Sequence, residues 1–338
     1  MAKIGVGMVG AGWMAGQHLD ELVGREDVEL RGIADPDPRR AGDLAARCGA
    51  KAYAGWEELL DAGGIEALWV CTPPAAHAEV VLPALERRIA VYLEKPVARS
   101  LADGHLIADA AVRSGVVCAI GYQWHSLDLL ASVRELLADR PVGLVLCRNL
   151  GPTEVRPWFL RRAAGGGNVL ERASHHFDLV RLVAGEVDAV TVATSSVALG
   201  GRPAGEGDVE DALCVVLHLA SGGMATVLVA WLREGMPGSY GLEIAADGVM
   251  LTLDLDPAFE LHGVADGAPV RRAAAEPALR ASIGGFLAAV RAGDPQMVAC
   301  SPDDALRTLT VAAAAEASLA SGRTERVREV DGDGPRDR

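Results

Sequence analysis

The sequence predicts an α/β protein in two parts: a doubly wound parallel sheet first, then an α+β region built on a mostly antiparallel open sheet. Three observations predict it. Short apolar runs alternate with helical-period segments up to about Gly121, the pattern of successive βαβ units. The first of those runs ends in a glycine fingerprint that opens a helix. Beyond Gly121 the apolar runs follow one another across short turns, as antiparallel strands do.

Taken in order, strands are expected near 3–9, 28–34, 67–71, 90–93 and 116–120. Helical spacing falls between them over 14–23, 38–48, 75–88 and 100–114, with Ser100 as the expected N-cap of the last and Asp103 in its first turn. A helix near 127–138 and a strand near 142–149 come next. An irregular Pro/Arg/Trp loop, the turn Gly165-Gly166-Gly167 and a helix near 168–184 follow. Strands are then expected near 187–197, 209–219, 223–232, 239–246 and 249–255, and helices near 278–292 and 302–321. Domains are expected at 1–122 and 123–322, with 323–338 a charged, frayed tail.

Composition excludes several classes of function. With 338 residues, 50% hydrophobic and 23% charged, the chain is long enough for two sizeable cores. Its net charge of -14 argues against nucleic-acid or anionic-membrane binding, so a small-molecule partner is expected. The start of the chain lacks a signal-peptide pattern, and no stretch is long enough to span a bilayer. Six scattered cysteines without a Cys-x-x-Cys fit reduced thiols in a cytoplasmic protein, and no metal site is expected.

The fingerprint reads Gly10-Ala11-Gly12-Trp13-Met14-Ala15. Gly10 permits the tight turn, Gly12 lets backbone approach a pyrophosphate, and Ala15 keeps helix and strand close. Trp13 and Met14 open the helix whose N-terminus would face the phosphates. Asp35 closes the second strand, where a carboxylate accepts from the adenosine ribose hydroxyls. Residues 1–122 therefore read as a Rossmann dinucleotide-binding domain. A carboxylate there repels a 2′-phosphate and favours NAD over NADP, although Arg39 and Arg40 follow closely. Thr72 and Pro73 end the strand near 67–71, on the side where the ligand crevice forms; His77 begins the next helix and is as well explained by a plain helix start.

Lysine occurs only at positions 3, 51 and 95. Lys95 lies in Glu94-Lys95-Pro96 directly after an apolar run, and an ammonium can do what the chain's many guanidinium groups cannot, because its pKa moves. It is the first catalytic candidate.

With Gly10-Ala11-Gly12, Thr72-Pro73-Pro74-x-x-His77, Glu94-Lys95-Pro96 and Gly121-Tyr122-Gln123 in one order, the chain resembles the glucose-fructose oxidoreductase, inositol dehydrogenase and rhizopine-catabolism family over nearly its full length. The resemblance implies a cofactor site that includes Glu94, Lys95 and Gln123, and chemistry between a Rossmann domain and an α/β domain. It also implies that the open sheet packs against another subunit in a homodimer or homotetramer. Many members oxidise a secondary alcohol with the Glu-Lys-Pro lysine and a histidine in Gly-Gly-x-x-x-Asp-x-x-x-His-x-x-Asp. Here that segment runs from Gly166 to Asp178, which assigns His175 to the family histidine and puts Glu171 in place of the aspartate.

The residues support the assignment independently. Glu171 and His175 are four apart and share a helix face, so the carboxylate can orient the imidazole. His175 would take the hydroxyl proton as general base, while Lys95 stabilises developing alkoxide charge. His176 points elsewhere on the helix and reads as structural, or as a group supporting the site from behind. On the substrate side, Trp158, Arg161 and Arg162 combine an aromatic face with fixed positive charge, equally consistent with loop packing and solvation. Trp124-His125 is a departure from the family pattern, in which an arginine is frequent near this position. The expected function is an NAD(P)-dependent oxidoreductase of a polyol, sugar or cyclitol; a non-catalytic NAD(P)-binding regulator and an NAD-dependent glycoside hydrolase are the alternatives.

Overall fold

The computed structural model describes residues 2–152, 158–195, 197, 207–256 and 258–327. The first part alternates strand and helix: β1 (Ile4–Val9), α1 (Trp13–Leu22), β2 (Val28–Ala34), α2 (Pro38–Ala46), β3 (Lys51–Tyr53), α3 (Trp56–Asp61), β4 (Ala67–Val70), α4 (His77–Glu86), β5 (Ala90–Leu93), α5 (Leu101–Ser114) and β6 (Cys118–Ile120). All pairings are parallel, in the order β3-β2-β1-β4-β5-β6. That is the doubly wound arrangement the apolar runs predict. Strands β1, β4 and β5 are buried throughout, because helices cover both faces of a parallel sheet. Ser100 caps α5 as expected, its hydroxyl accepting from the Asp103 N–H at 3.1 Å.

Two short elements escape the sequence reading. Strand β3 is a three-residue edge strand with two exposed residues, and α3 spans six residues, so neither carries enough periodicity to register.

The second part continues with α6 (Leu129–Leu137), β7 (Val142–Pro152), the single turn α7 (Arg162–Gly165) and α8 (Ser174–Ala184). A π-helical turn, Val169–Ala173, leads into α8, where the sequence predicts one regular helix. Strands β8 (Val187–Ser195), β9 (Ala212–Leu219), β10 (Met224–Leu232), β11 (Ser239–Ala246), β12 (Val249–Asp256), β13 (Glu260–Ala265) and β14 (Ala268–Ala273) follow. Helices α9 (Ala278–Ala292) and α10 (Pro302–Ser321) precede β15 (Glu325–Arg326).

These strands form one sheet in the order β14-β13-β12-β11-β7-β10-β9-β8-β15, antiparallel except for β7 and β10. Strands β13 and β14, at and next to the sheet's edge, were not expected, since half-exposed short strands blur the alternation. The predicted frayed tail is corrected in part: Glu325 and Arg326 pair with Val190 and Ala189 on β8. The remainder of that tail, 328–338, lies outside the described residues.

One face of the sheet stays open. Met224, Leu144, Ala245, Met250 and Val264 stand in register across five strands, and Met224, Met250 and Val264 are 43%, 48% and 45% exposed. Helices α6 and α8 lie against the sheet.

By contacts the chain forms two compact units, 1–128 with 163–165 and 274–306, and 129–162 with 166–273 and the chain from Arg307. A cut near residue 122 therefore omits a returning segment. Helix α9 belongs to the parallel-sheet unit because Phe286 meets Trp69 and Tyr92 edge-on at 5.1 and 5.5 Å, and Ser282 Oγ lies 2.9 Å from the Tyr92 hydroxyl. These aromatics are far apart in sequence, so no local pattern announces their packing.

Candidate active site

The parallel-sheet unit builds a dinucleotide cradle at the carboxyl ends of its strands. Gly10 sits at φ +89°, and a Cβ there would meet the Cys71 carbonyl oxygen at 2.6 Å, so only glycine fits the turn. At Gly12 a Cβ would meet nothing within 4 Å. That open space adjoins the N-terminus of α1, whose first turn has no side-chain cap. Backbone N–H groups left over at a helix start donate to an anion, so a pyrophosphate fits here.

Asp35 is buried at the end of β2. One carboxylate oxygen accepts from the Ala11 N–H and the other from the Asp37 N–H, each at 2.8 Å. The acid thus fixes the glycine loop to the end of β2. Arg39 and Arg40 are exposed, each 3.7 Å from the Asp37 carboxylate. Gly12, Trp13, Gln17, Arg40, Asp43 and Arg47 line an open cleft of about 330 Å³ between α1 and α2. Trp13 is 65% exposed there, and Met14 is half-buried.

Two polar atoms at the sheet's edge lack hydrogen-bond partners although buried: Thr72 Oγ1 beyond β4 and Gln123 Oε1 beyond β6. Orphaned polar groups in such a crevice are what a bound dinucleotide would satisfy. Pro73 holds the extended turn between Thr72 and the start of α4.

His77 has a different place from Thr72 and Gln123. Fully buried, its Nε2 lies 3.0 Å from the Thr72 carbonyl oxygen and its Nδ1 3.4 Å from that of Val97. Burial lowers its pKa, with the two backbone contacts opposing the shift. It joins the turns that follow β4 and β5.

Lys95 follows β5 and is half-buried. Its backbone N–H donates to Glu94 Oε2 at 3.2 Å, and the Lys95–Pro96 bond is cis. Glu94 Oε1 is 2.7 Å from Nε2 of His18, which projects from α1 and is fully buried. Burial first, and the Glu94 charge after it, push the Cys71 thiol and the Tyr92 hydroxyl up. Sequence reading singled out Glu94 but not His18. Its signal was the i, i+4 spacing from Met14 on the buried side of the helix after the glycine loop.

The second unit carries the other candidates. Glu171 lies in the π-turn and His175 in the first turn of α8, both half-buried. The wider turn keeps residues four apart on one side, so the shared face survives. His176 is fully buried and its pKa is pushed down to about 3, by burial first and the nearby Arg172 charge second. It is a neutral core group, as its direction on the helix predicts.

Three residues of this unit went unread in the sequence. Arg172 donates through Nε and Nη2 to Asn149 Oδ1 at 3.1 and 2.7 Å, and Nη2 lies 3.4 Å from the Tyr240 hydroxyl. Asn149 in turn donates to the Arg172 carbonyl at 3.2 Å, and the Tyr240 hydroxyl leaves no room for a Cβ at Gly151. A polar residue inside the apolar run of β7 was the only local hint.

On the loop before α7, Trp158 packs on Phe159 at 5.5 Å and on the cluster of Phe159, Leu160, Val209 and Trp231. Arg161 is exposed, whereas Arg162 pairs with the buried Glu210. Arg156 and Pro157 fall outside the described residues. In the first unit, His125 donates or accepts at Nδ1 with the Ala299 carbonyl, 3.0 Å away, and its Nε2 is 3.6 Å from Asp304. It therefore ties the turn after β6 to the chain before α10.

Comparison with known proteins decides the family. Residues 4–122 match "Oxidoreductase family, NAD-binding Rossmann fold", and residues 136–263 match "GFO/IDH/MocA C-terminal domain". The chain belongs to the GFO/IDH/MocA family. This family member is 29% identical to a rhizopine catabolism protein, MocA, of Rhizobium meliloti over 93% of its own length and 95% of that protein. It is 33% identical to an inositol 2-dehydrogenase of Rubrobacter xylanophilus over 42% and 41% of the two chains. Among solved structures, GenD2 from gentamicin A biosynthesis, in complex with NAD, superposes with TM-score 0.82 at 27% identity over 96% and 97% of the chains.

Proposed function

We propose that this family member interconverts a secondary alcohol and the corresponding ketone on a sugar, cyclitol or sugar derivative, with NAD rather than NADP as partner. The observation that carries the reading is Lys95 on the turn after β5, in the same unit as a glycine loop and two orphaned polar atoms that fit a dinucleotide. The inositol 2-dehydrogenase and glucose-6-phosphate 3-dehydrogenase names of similar proteins support the substrate class.

NAD, when bound, supplies the hydride acceptor. In the forward direction His175 takes the hydroxyl proton at an imidazole nitrogen, and Glu171 orients that ring. The Lys95 ammonium donates to the alcohol oxygen and stabilises its growing negative charge. In reverse, Lys95 polarises the ketone and His175 returns the proton. Trp158 and Arg161 are the substrate-side candidates, while Arg162 is held by Glu210.

The Asp35 carboxylate at the ribose position supports NAD, because a 2′-phosphate there would meet a negative charge. The apolar row from Met224 to Val264 supports a homodimer or homotetramer through the open sheet. Six free cysteines support a reducing, cytoplasmic setting, and no helix among the described residues is long and apolar enough to cross a membrane.

The test is incubation with NAD or NADP and a panel of polyols, cyclitols and sugars, followed by the absorbance of reduced nicotinamide. Net reduction with at least one alcohol is expected. Tight NAD binding without net reduction, together with cleavage of a glycoside, would replace this reading with the hydrolase alternative; binding with neither would leave the regulator.

A further inference from the structure

We propose that His18 is a positioning residue for Lys95, acting through the Glu94 carboxylate. The inference rests on the reading of Lys95 as the alkoxide-stabilising group.

Glu94 is only 8% exposed, and a carboxylate that deep needs hydrogen-bond donors to stay charged. It has one for each oxygen. His18 Nε2 reaches Oε1 at 2.7 Å, and the Lys95 backbone N–H reaches Oε2 at 3.2 Å. The first contact crosses from α1 to the turn after β5; the second holds that turn at the residue that matters. A Cβ at Gly121 would press on Glu94 Oε1 at 3.0 Å, so the chain leaves room for the carboxylate there.

The His18 ring offers nothing else polar. Its Nδ1 is buried without a partner, and its other near neighbour is the Tyr92 ring, edge-on at 5.1 Å. An apolar side chain would fill this space without leaving a buried nitrogen unsatisfied, which costs free energy. The Nε2 contact to Glu94 is therefore what a histidine contributes here. A carboxylate oxygen only accepts, so the ring donates to it from Nε2.

The geometry divides the work between two histidines. His77 stands at the far side of the same turn, its Nδ1 3.4 Å from the Val97 carbonyl oxygen, and His18 fixes the near side through Glu94. Lys95 lies between the two contacts. Because His18 stands on α1, one helix carries both the phosphate-facing N-terminus and the brace behind Lys95. A rigid element that sets both groups keeps the lysine in place relative to the cofactor.

Two substitutions of similar polarity separate bracing from packing. His18→Gln keeps an N–H at about the reach of Nε2, whereas His18→Asn ends one methylene short of Glu94. With wild-type-like melting temperatures in both, His18→Asn is expected to lower kcat about tenfold or more while the KM for NAD stays within about twofold, and His18→Gln to recover most of the loss. In the Glu94→Gln background the difference between the two is expected to shrink, as coupled residues require. Amide exchange across 93–97, read by mass spectrometry, is expected to quicken in His18→Asn and not in His18→Gln. Equal kcat and equal exchange in the two variants would overturn the proposal, as would a loss seen in KM alone. Should the wild-type protein transfer no hydride, the functional reading falls, while the exchange comparison still decides whether His18 holds the Lys95 turn.

Discussion

Asp35 Oδ2 accepts a hydrogen bond from the Ala11 N–H at 2.8 Å, tying the end of β2 to the middle of the glycine loop. The residue proposed to meet the cofactor's ribose therefore also shapes the loop proposed to receive its phosphates. Asp35→Ala is expected to raise the Kd for NAD about tenfold or more and to narrow its advantage over NADP, measured by titrating both nucleotides. An unchanged NAD to NADP ratio would remove Asp35 from the ribose.

The two fingerprint glycines do different jobs, and substitutions should separate them. Gly10→Ala forces a Cβ at φ +89° against the Cys71 carbonyl and is expected to cost about 2 kcal/mol or more of stability, seen in chemical denaturation. In Gly12→Val the added Cβ has no protein atom within 4 Å. The variant is expected to melt like the wild-type protein while NAD binding by calorimetry is lost.

Lys95→Ala and His175→Ala are each expected to lower kcat by about a hundredfold or more, with the Kd for NAD within about threefold of wild type. Steady-state rates beside direct binding measurements check this. A residue whose loss leaves kcat intact has no part in proton or charge handling.

His176 governs part of the response to acid. Its folded pKa of about 3 lies below the ordinary 6.5, so between those values the unfolded chain binds a proton that the folded one refuses. Its contribution to stability is complete above 6.5 and is lost as the pH falls from there toward 3. Denaturation at stepped pH should show a shallower acid slope in His176→Gln, by up to about one proton. An identical slope would mean that His176 is protonated in the folded protein.

Met250→Glu places a charge in the middle of the apolar row on the open sheet, where the pairing partners Ala245 and Val264 flank it. Light scattering is expected to show a smaller assembly with the same far-ultraviolet spectrum. A monomeric wild-type protein would remove the sheet-to-sheet proposal.

Much of the site was legible because its chemistry is local. The glycine fingerprint, Asp35, Thr72 and Glu94-Lys95-Pro96 all fall at the carboxyl ends of strands, and strand periodicity plus turn residues locate such ends from a few neighbours. Glu171 and His175 were legible for the same reason, as a fixed spacing on one helix. His18 was not, since its meaning lies in a carboxylate 76 positions away. Arg172 was hidden likewise: its partners Asn149 and Tyr240 come from β7 and β11.

The sequence by itself determined the parallel and antiparallel sheets, the position of the dinucleotide loop and the candidate acid, base and ammonium. Hydrophobic period and glycine placement act over a handful of residues, so they can be read along the chain. Only the tertiary structure decided that α9 returns to the first unit, that β7 and β10 run parallel in an antiparallel sheet, and that His77 and His18 lie against the Val97 carbonyl and the Glu94 carboxylate. Those outcomes rest on aromatic packing, strand pairing and buried hydrogen bonds between distant segments, and the energy of such contacts is set by which groups meet in space.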